Sequence, residues 1–160
     1  MINKILNFTT ALVAAFILLG CVKNEPPQRS KTFQVTIFSP LIKINDVGFL
    51  HSYKNGLNLQ IYSSGVNTAN IKIDDRICVN RACFSKTEFN EKFFLRPHYE
   101  TIFQDVLQKK QIYDGKNLVR KACGFEQNIS NDSIEYEVCD NLIKFIDTKN
   151  RIRIILKELK

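Results

Sequence analysis

The sequence is poor in the residues and motifs that mark common catalytic sites. It has no tryptophan and only two histidines, His51 and His98, which are not spaced as metal ligands. There is no Gly-rich phosphate loop, no Gly-x-Ser-x-Gly elbow, no His-Glu-x-x-His pair and no Cys-x-x-Cys motif. We therefore predict no enzyme activity, no catalytic residue, no metal and no cofactor. The alternative is a hydrolase with a polar cluster around His51 or Asp74.

Acidic residues are outnumbered by basic ones, 16 to 23, which gives a formal net charge of +7. Such a charge favours binding to anionic surfaces. No helix or strand carries the clustered Arg/Lys stripe that DNA binding requires, so we predict no nucleic-acid partner. A solvated basic surface that keeps the protein soluble is the favoured interpretation of this charge. If the charge binds a partner, a phospholipid or glycolipid headgroup is favoured over nucleic acid.

The apolar stretch at the N-terminus is too short for a permanent transmembrane helix. Lys4 precedes a charge-free run from Thr10 to Leu19, which is the order of the n-region and h-region of a secretory signal. A permanent span needs about 20 apolar residues. Residues 1–20 are therefore predicted to be a signal peptide that is removed.

Leu18-Leu19-Gly20-Cys21 follows this run and resembles the lipobox of bacterial lipoproteins. The resemblance implies that Cys21 carries diacylglycerol and fatty acids such as palmitate, each buried methylene contributing about 0.8 kcal/mol to membrane anchoring. Val22 stands where Asp signals inner-membrane retention in some bacteria, so the resemblance favours a periplasm-facing anchor in the outer membrane over the inner membrane. Residues 21–31, which include Pro26-Pro27, are predicted to be a lipidated tether.

Alternation of apolar and polar residues begins at Thr32 and predicts half-buried strands. Phe33, Val35 and Ile37 occupy every second position. Further runs of this kind, separated by turn signals such as Asn45-Asp46 and Asn55-Gly56, are Leu41–Ile44, Gly48–Tyr53, Leu57–Tyr62, Ala69–Ile73, Ser133–Val138, Asn141–Ile146 and Arg151–Leu159.

Between these two groups of strands the period changes to that of a helix. The Ser85 to Glu88 spacing is that of a capping box, so a helix is predicted to begin near Lys86 and to end near Pro97. Apolar residues at helical spacing from Tyr99 to Tyr113 predict a second helix. Residues 32–160 should therefore form a single periplasm-facing α+β domain, a curved antiparallel sheet with two helices inserted between N-terminal and C-terminal strands.

Four cysteines besides Cys21 indicate disulfide bonds, because an exported protein meets an oxidising compartment. The simplest pairing by sequence joins Cys78 to Cys83 and Cys123 to Cys139. The other two connectivities remain open.

The segment Glu126-Gln127-Asn128-Ile129-Ser130 resembles the extended acceptor sequon of bacterial periplasmic N-glycosylation. The resemblance implies that Asn128 is a candidate glycosylation site, which would make the protein a glycoprotein. An unmodified surface loop is the favoured interpretation of this segment.

The order of strands and the anchoring resemble the outer-membrane lipoprotein receptor family called LolB. The resemblance spans roughly Phe33–Ile73 and the closing hairpin, which consists of the predicted strands Asn141–Ile146 and Arg151–Leu159. It implies an apolar cavity in the sheet with helices across its mouth. It also implies that the protein binds lipid or lipoprotein cargo in the cell envelope, with twelve phenylalanines available as acyl-compatible walls. Phe93-Phe94-Leu95 is then a candidate element that touches the membrane or gates the cavity, although burial in the core is the favoured interpretation of this run.

The alternative function is that of a structural or interaction lipoprotein that docks to an envelope protein complex without catalysis. An exposed apolar patch with no interior cavity would support docking. An apolar cavity large enough for an acyl chain would support lipid binding.

Overall fold

The structure, a computed structural model, describes residues 26–160. The predicted signal peptide, the lipidation of Cys21 and the first part of the tether lie outside the described residues. Within this range the regular elements are two α-helices, two 3-10 helices and eleven strands: α1 (Lys86–Phe94), α2 (Ile102–Leu107), the 3-10 helices Tyr113–Gly115 and Ser130–Asp132, β1 (Arg29–Phe38), β2 (Lys43–Tyr53), β3 (Gly56–Ser63), β4 (Val66–Ile73), β5 (Ile77–Val79), β6 (Ala82–Phe84), β7 (Leu118–Lys121), β8 (Gly124–Ile129), β9 (Ile134–Cys139), β10 (Leu142–Asp147) and β11 (Ile152–Glu158).

The eleven described strands form one antiparallel sheet in the order β6-β5-β4-β3-β2-β1-β11-β10-β9-β8-β7. The sheet is curved and not closed, so β6 and β7 are its two edges. The chain leaves the sheet at one edge, forms α1 and α2, and re-enters at the other edge. This confirms the predicted α+β class and the insertion of two helices between two groups of strands.

Each strand contributes to two faces of the sheet, because successive side chains point to opposite sides. We call the buried side the inner face and the other side the outer face. In β1 the inner-face residues Phe33, Val35 and Ile37 are at most 1% exposed, whereas Phe38 on the outer face is 49% exposed. The hydrophobic core therefore lies on the inner face, and it includes the apolar side chains of both helices.

The N-terminal half of the sheet is more regular than the sequence suggests. The Asn45-Asp46 pair was predicted as a turn, but it lies inside β2, where Asn45 pairs with Thr36 and Asp46 with Val35 across the ladder to β1. Cross-strand pairing outweighs the turn preference of these two residues here, because strand propensity depends on context.

Four further strands, β5 to β8, were not predicted, and three of them have no more than four residues.

The predicted start of α1 is confirmed by its cap. Ser85 Oγ accepts a hydrogen bond from the backbone N–H of Glu88 at 3.1 Å. The helix ends at Phe94, and Leu95 follows in the left-handed region with φ of 60°, two residues before Pro97, which cannot continue a helix. The second helix is shorter than predicted, Ile102–Leu107 in place of Tyr99 to Tyr113.

Two disulfide bonds join Cys78 to Cys83 and Cys123 to Cys139. Cys78 and Cys83 face each other directly across the β5–β6 hairpin, with Cα atoms 3.9 Å apart. Cys123 precedes β8 and its partner ends β9, with Cα atoms 4.8 Å apart. Each bond therefore braces strands close to an edge of the sheet, where fewer neighbours hold the backbone.

Candidate functional site: the inner face and its cover

The inner face of the sheet is covered by the segment that carries both helices. We call residues 85–117 the cover segment. It begins directly after edge strand β6 and ends directly before edge strand β7. The contacts that hold it on the sheet are aromatic rings at the centre, two groups of charged residues and one buried glutamine.

A cluster of phenylalanines fills the space between the cover segment and the sheet. Phe103 of α2 lies at its centre, with its ring centroid 4.9 Å from that of Phe89 and 5.0 Å from that of Phe93. Phe94 reaches the sheet, where its ring lies 5.5 Å from Phe145 of β10. All five rings are fully buried. The inner face is therefore occupied by side chains of its own cover.

Tyr136 of β9 adds a polar contact to this apolar interface. Its hydroxyl donates a hydrogen bond to the carbonyl oxygen of Val106 at 3.5 Å. Burial raises the pKa of the Tyr136 hydroxyl well above its usual range, so the group remains a donor at physiological pH.

An ion pair joins the cover segment to the end of β10. Arg96 Nε lies 3.6 Å from Asp147 Oδ2, and the Asp147 side chain is completely buried. Asp147 also accepts hydrogen bonds from the backbone and side-chain amides of Asn150. Arg96 Nε donates to His98 Nε2 at 3.2 Å, and His98 Nδ1 hydrogen-bonds the Tyr113 hydroxyl.

A second charged group joins the cover segment to Glu158 at the C-terminal end of β11. Asp147 of the first group pairs with Ile152 at the other end of this strand. Glu158 accepts hydrogen bonds from Lys31 Nζ at 2.7 and 2.8 Å, and Lys109 Nζ lies 3.6 Å from Glu158 Oε2. Lys109 also donates to the carbonyl oxygen of Asp140 at 2.7 Å. The hydrogen bond from Lys31 and the charge of Lys109 hold the pKa of Glu158 below its ordinary value of 4.5.

This shift predicts how stability depends on pH. Because the pKa is lower in the folded protein, the contribution of Glu158 is present above pH 4.5 and is lost as the pH falls through its folded value. We expect Glu158→Gln to lower the free energy of unfolding at pH 7 by under about 1 kcal/mol, since the group is partly solvated. At pH 2, urea denaturation should give the same midpoint for the variant and the parent. An equal loss at both pH values would contradict this account.

Gln127 of β8 fixes the end of the cover segment and was not predicted as a functional residue. Its side-chain oxygen accepts from the backbone N–H of Ile112 at 2.8 Å, and its amide donates to the carbonyls of Ile112 and Lys116 at 2.9 Å. Gln127 is only 1% exposed. Sequence gives no signal for this role, because Gln127 stands in a polar stretch that looked like a surface loop.

The structure places the three residues of the candidate gating element, Phe93-Phe94-Leu95, in two different environments. Phe93 and Phe94 are fully buried in the aromatic cluster, which is the interpretation favoured for them, while Leu95 is 55% exposed. Only Leu95 could therefore touch a membrane without movement of the cover. The gating role of these three residues stays a prediction.

Asn128 lies in β8 rather than in an irregular loop. Its side chain is exposed, and its backbone carbonyl accepts a hydrogen bond from Asn117 at 2.9 Å. An acceptor position is thus accessible on the outer face, and glycosylation stays a prediction.

His51 and Asp74, the residues considered for a hydrolase, do not meet. His51 Nδ1 hydrogen-bonds Ser30 Oγ at 2.7 Å on the outer face. Asp74 Oδ1 accepts a hydrogen bond from the backbone N–H of Arg76, which lowers the pKa of Asp74, and Asp74 Oδ2 lies 3.2 Å from Lys72 Nζ. Asp74 therefore acts as a turn residue at the end of β4.

The described residues 26–160 contain no helix that is long and apolar enough to cross a membrane. Comparison of the chain with known protein families, with curated proteins and with solved structures gives no significant match. Function is therefore inferred from the residues and geometry of this chain.

Proposed function

We propose that this protein is an envelope lipoprotein that binds lipid, or the acyl chains of a lipoprotein, on the inner face of its sheet beneath the cover segment. The observation that carries the proposal is the construction of this interface. A wide apolar sheet face is covered by a single chain segment whose aromatic side chains could be exchanged for acyl methylenes.

The inner face has the chemistry that acyl chains require. Its strands present fully buried aliphatic and aromatic side chains along both halves of the sheet, such as Leu59, Ile71, Ile143 and Phe145. Burying an acyl methylene contributes about 0.8 kcal/mol, so several methylenes offset the loss of a phenylalanine contact.

The cover segment has the connections of a movable element. It pairs with no strand, and its junctions with the sheet lie at Ser85 and at residues 113–117. Tyr113, Asp114 and Asn117 have positive φ values in this second junction. The inner face is occupied in the described conformation, so cargo enters only when the cover moves outward, as lids do in other binding proteins.

Native mass spectrometry of the full chain, released from detergent micelles, tests this proposal. We expect a one-to-one complex with a diacyl phospholipid or a synthetic diacyl lipopeptide. Binding should weaken when Leu59→Asp places a charge on the inner face. The matched control, Gln60→Asp on the outer face of the same strand, should bind as the parent does. A ligand-free spectrum at saturating lipid, or equal binding by both variants, would argue against the proposal.

The interaction alternative is favoured by a different observation. Exposed apolar side chains lie on or beside the outer face, among them Phe38, Phe49 and Leu159 at 49%, 37% and 41% exposure. This alternative predicts an inner face that is filled by the protein's own side chains, together with an exposed apolar patch. Failure of lipid binding in the test above would leave docking as the working function.

A further inference from the structure

The outer face of four central strands combines positive charge with exposed apolar side chains. We call the outer-face residues of β2, β1, β11 and β10 the basic face. Strand register assigns to it Lys43, Asn45, Val47, Phe49, His51, Tyr53, Ser30, Thr32, Gln34, Thr36, Phe38, Arg153, Ile155, Lys157, Leu142, Lys144 and Ile146. None of these described residues is a carboxylate.

Three of the four lysine and arginine side chains of the basic face form no ion pair with the described residues. Lys43, Arg153 and Lys157 are exposed, and no ion pair joins any of them to a carboxylate of the described residues. The fourth, Lys144, lies opposite Glu137 of β9 in the strand register, and Glu137 pairs with Lys121. This arrangement leaves an uncompensated positive field on one side of the sheet.

One row across the strands forms the most concentrated part of this surface. Lys43, Phe38, Arg153 and Ile146 lie side by side on β2, β1, β11 and β10. Lys43 Nζ lies 5.3 Å from the centre of the Phe38 ring. An open groove of about 730 Å³ runs along this row. It is also lined by Arg151 and by Asp147, whose buried carboxylate pairs with Arg96. A phosphate could be held there between Lys43, Arg151 and Arg153. The planar guanidinium groups of the two arginines match the geometry of phosphate oxygens.

We infer that the basic face docks on an anionic phospholipid bilayer, with a headgroup phosphate in the groove among Lys43, Arg151 and Arg153. Cations bind the headgroups, while exposed Phe38 and Phe49 enter the interfacial layer that favours such side chains. With Cys21 lipidated as predicted, the chain up to Arg29 spans at most about 28 Å. A tether this short keeps the domain at high effective concentration near the bilayer.

This inference concerns the face opposite the cover and does not depend on cargo binding. Amine-reactive footprinting of the full chain, reconstituted through its own anchor into vesicles, tests it. In phosphatidylcholine vesicles containing phosphatidylglycerol, we expect the reactivity of Lys43 and Lys157 to fall at least about fivefold relative to pure phosphatidylcholine. Lys92 and Lys116, which are exposed on the cover segment, should react equally in both.

Two double charge reversals distinguish binding through the basic face from a general effect of the protein's net charge. Lys43→Glu with Arg153→Glu should abolish the protection of Lys157, and high salt should do the same. Lys116→Glu with Arg120→Glu changes the net charge equally at exposed positions away from the basic face and should retain the protection. Unchanged reactivity of Lys43 and Lys157 on anionic vesicles would overturn the inference, as would equal effects of the two double variants. Protection of Lys43 and Lys157 by an acidic protein but not by anionic vesicles would overturn it as well.

Discussion

Replacing Phe103 by alanine is expected to lower the free energy of unfolding by about 4 kcal/mol. The ring is fully buried, and it contacts Phe89 and Phe93 of α1 at centroid distances of 4.9 and 5.0 Å. Its removal takes away transfer free energy and leaves a cavity that its rigid neighbours fill only partly. Urea denaturation followed by circular dichroism measures the loss.

Phe38→Ala is the matched control for this change. The same ring is removed, but from a side chain that is 49% exposed, so the expected loss is within about 1 kcal/mol. If Phe103→Ala were no more destabilising than Phe38→Ala, the aromatic cluster would not be the main attachment of the cover segment. The cavity left by Phe103→Ala should also strengthen acyl binding if cargo replaces these rings.

Replacing Arg96 by methionine is expected to cost about 3 kcal/mol, because it leaves the buried Asp147 carboxylate without its cationic partner. The Asp147 side chain has no solvent exposure and relies on Arg96 and Asn150 for its polar contacts. Methionine keeps the apolar length of the side chain. The loss is therefore assigned to charge rather than to packing.

A double-mutant cycle checks that assignment. Asp147→Asn combined with Arg96→Met removes both charges, so it should be less destabilising than the sum of the two single changes. Hydrogen exchange of the α1 and α2 amides should accelerate in Arg96→Met before the rest of the sheet unfolds. Additive single and double variants would mean that the two side chains do not interact in solution.

The sheet and the start of α1 could be predicted because their signals are local. Period-two alternation in β1 and the Ser85 cap are set by neighbouring residues, and both are present in the structure. Strands β5 to β8 could not be predicted, because most are too short to show a period. The turn predicted at Asn45-Asp46 failed because pairing with β1 decides the conformation there.

The candidate site could be predicted only in part. The apolar character of Phe93 and Phe94 is visible in the sequence, but their burial against Phe145 depends on the path of the cover segment. The attachments through Asp147 and Gln127 were missed, since their partners are distant in sequence. The basic face was missed as well, because it forms only when the first and last strands pair at the centre of the sheet.

Photo-crosslinking tests whether acyl chains bind beneath the cover segment. The full chain is reconstituted into vesicles that contain a phospholipid with a diazirine at the end of one acyl chain, irradiated and mapped by peptide mass spectrometry. We predict labels on the inner-face residues Tyr136 and Phe145 and on Phe103 of the cover, with more label in Arg96→Met. Labels confined to the outer face around Phe38 and Phe49, or to the N-terminal anchor, would contradict the account.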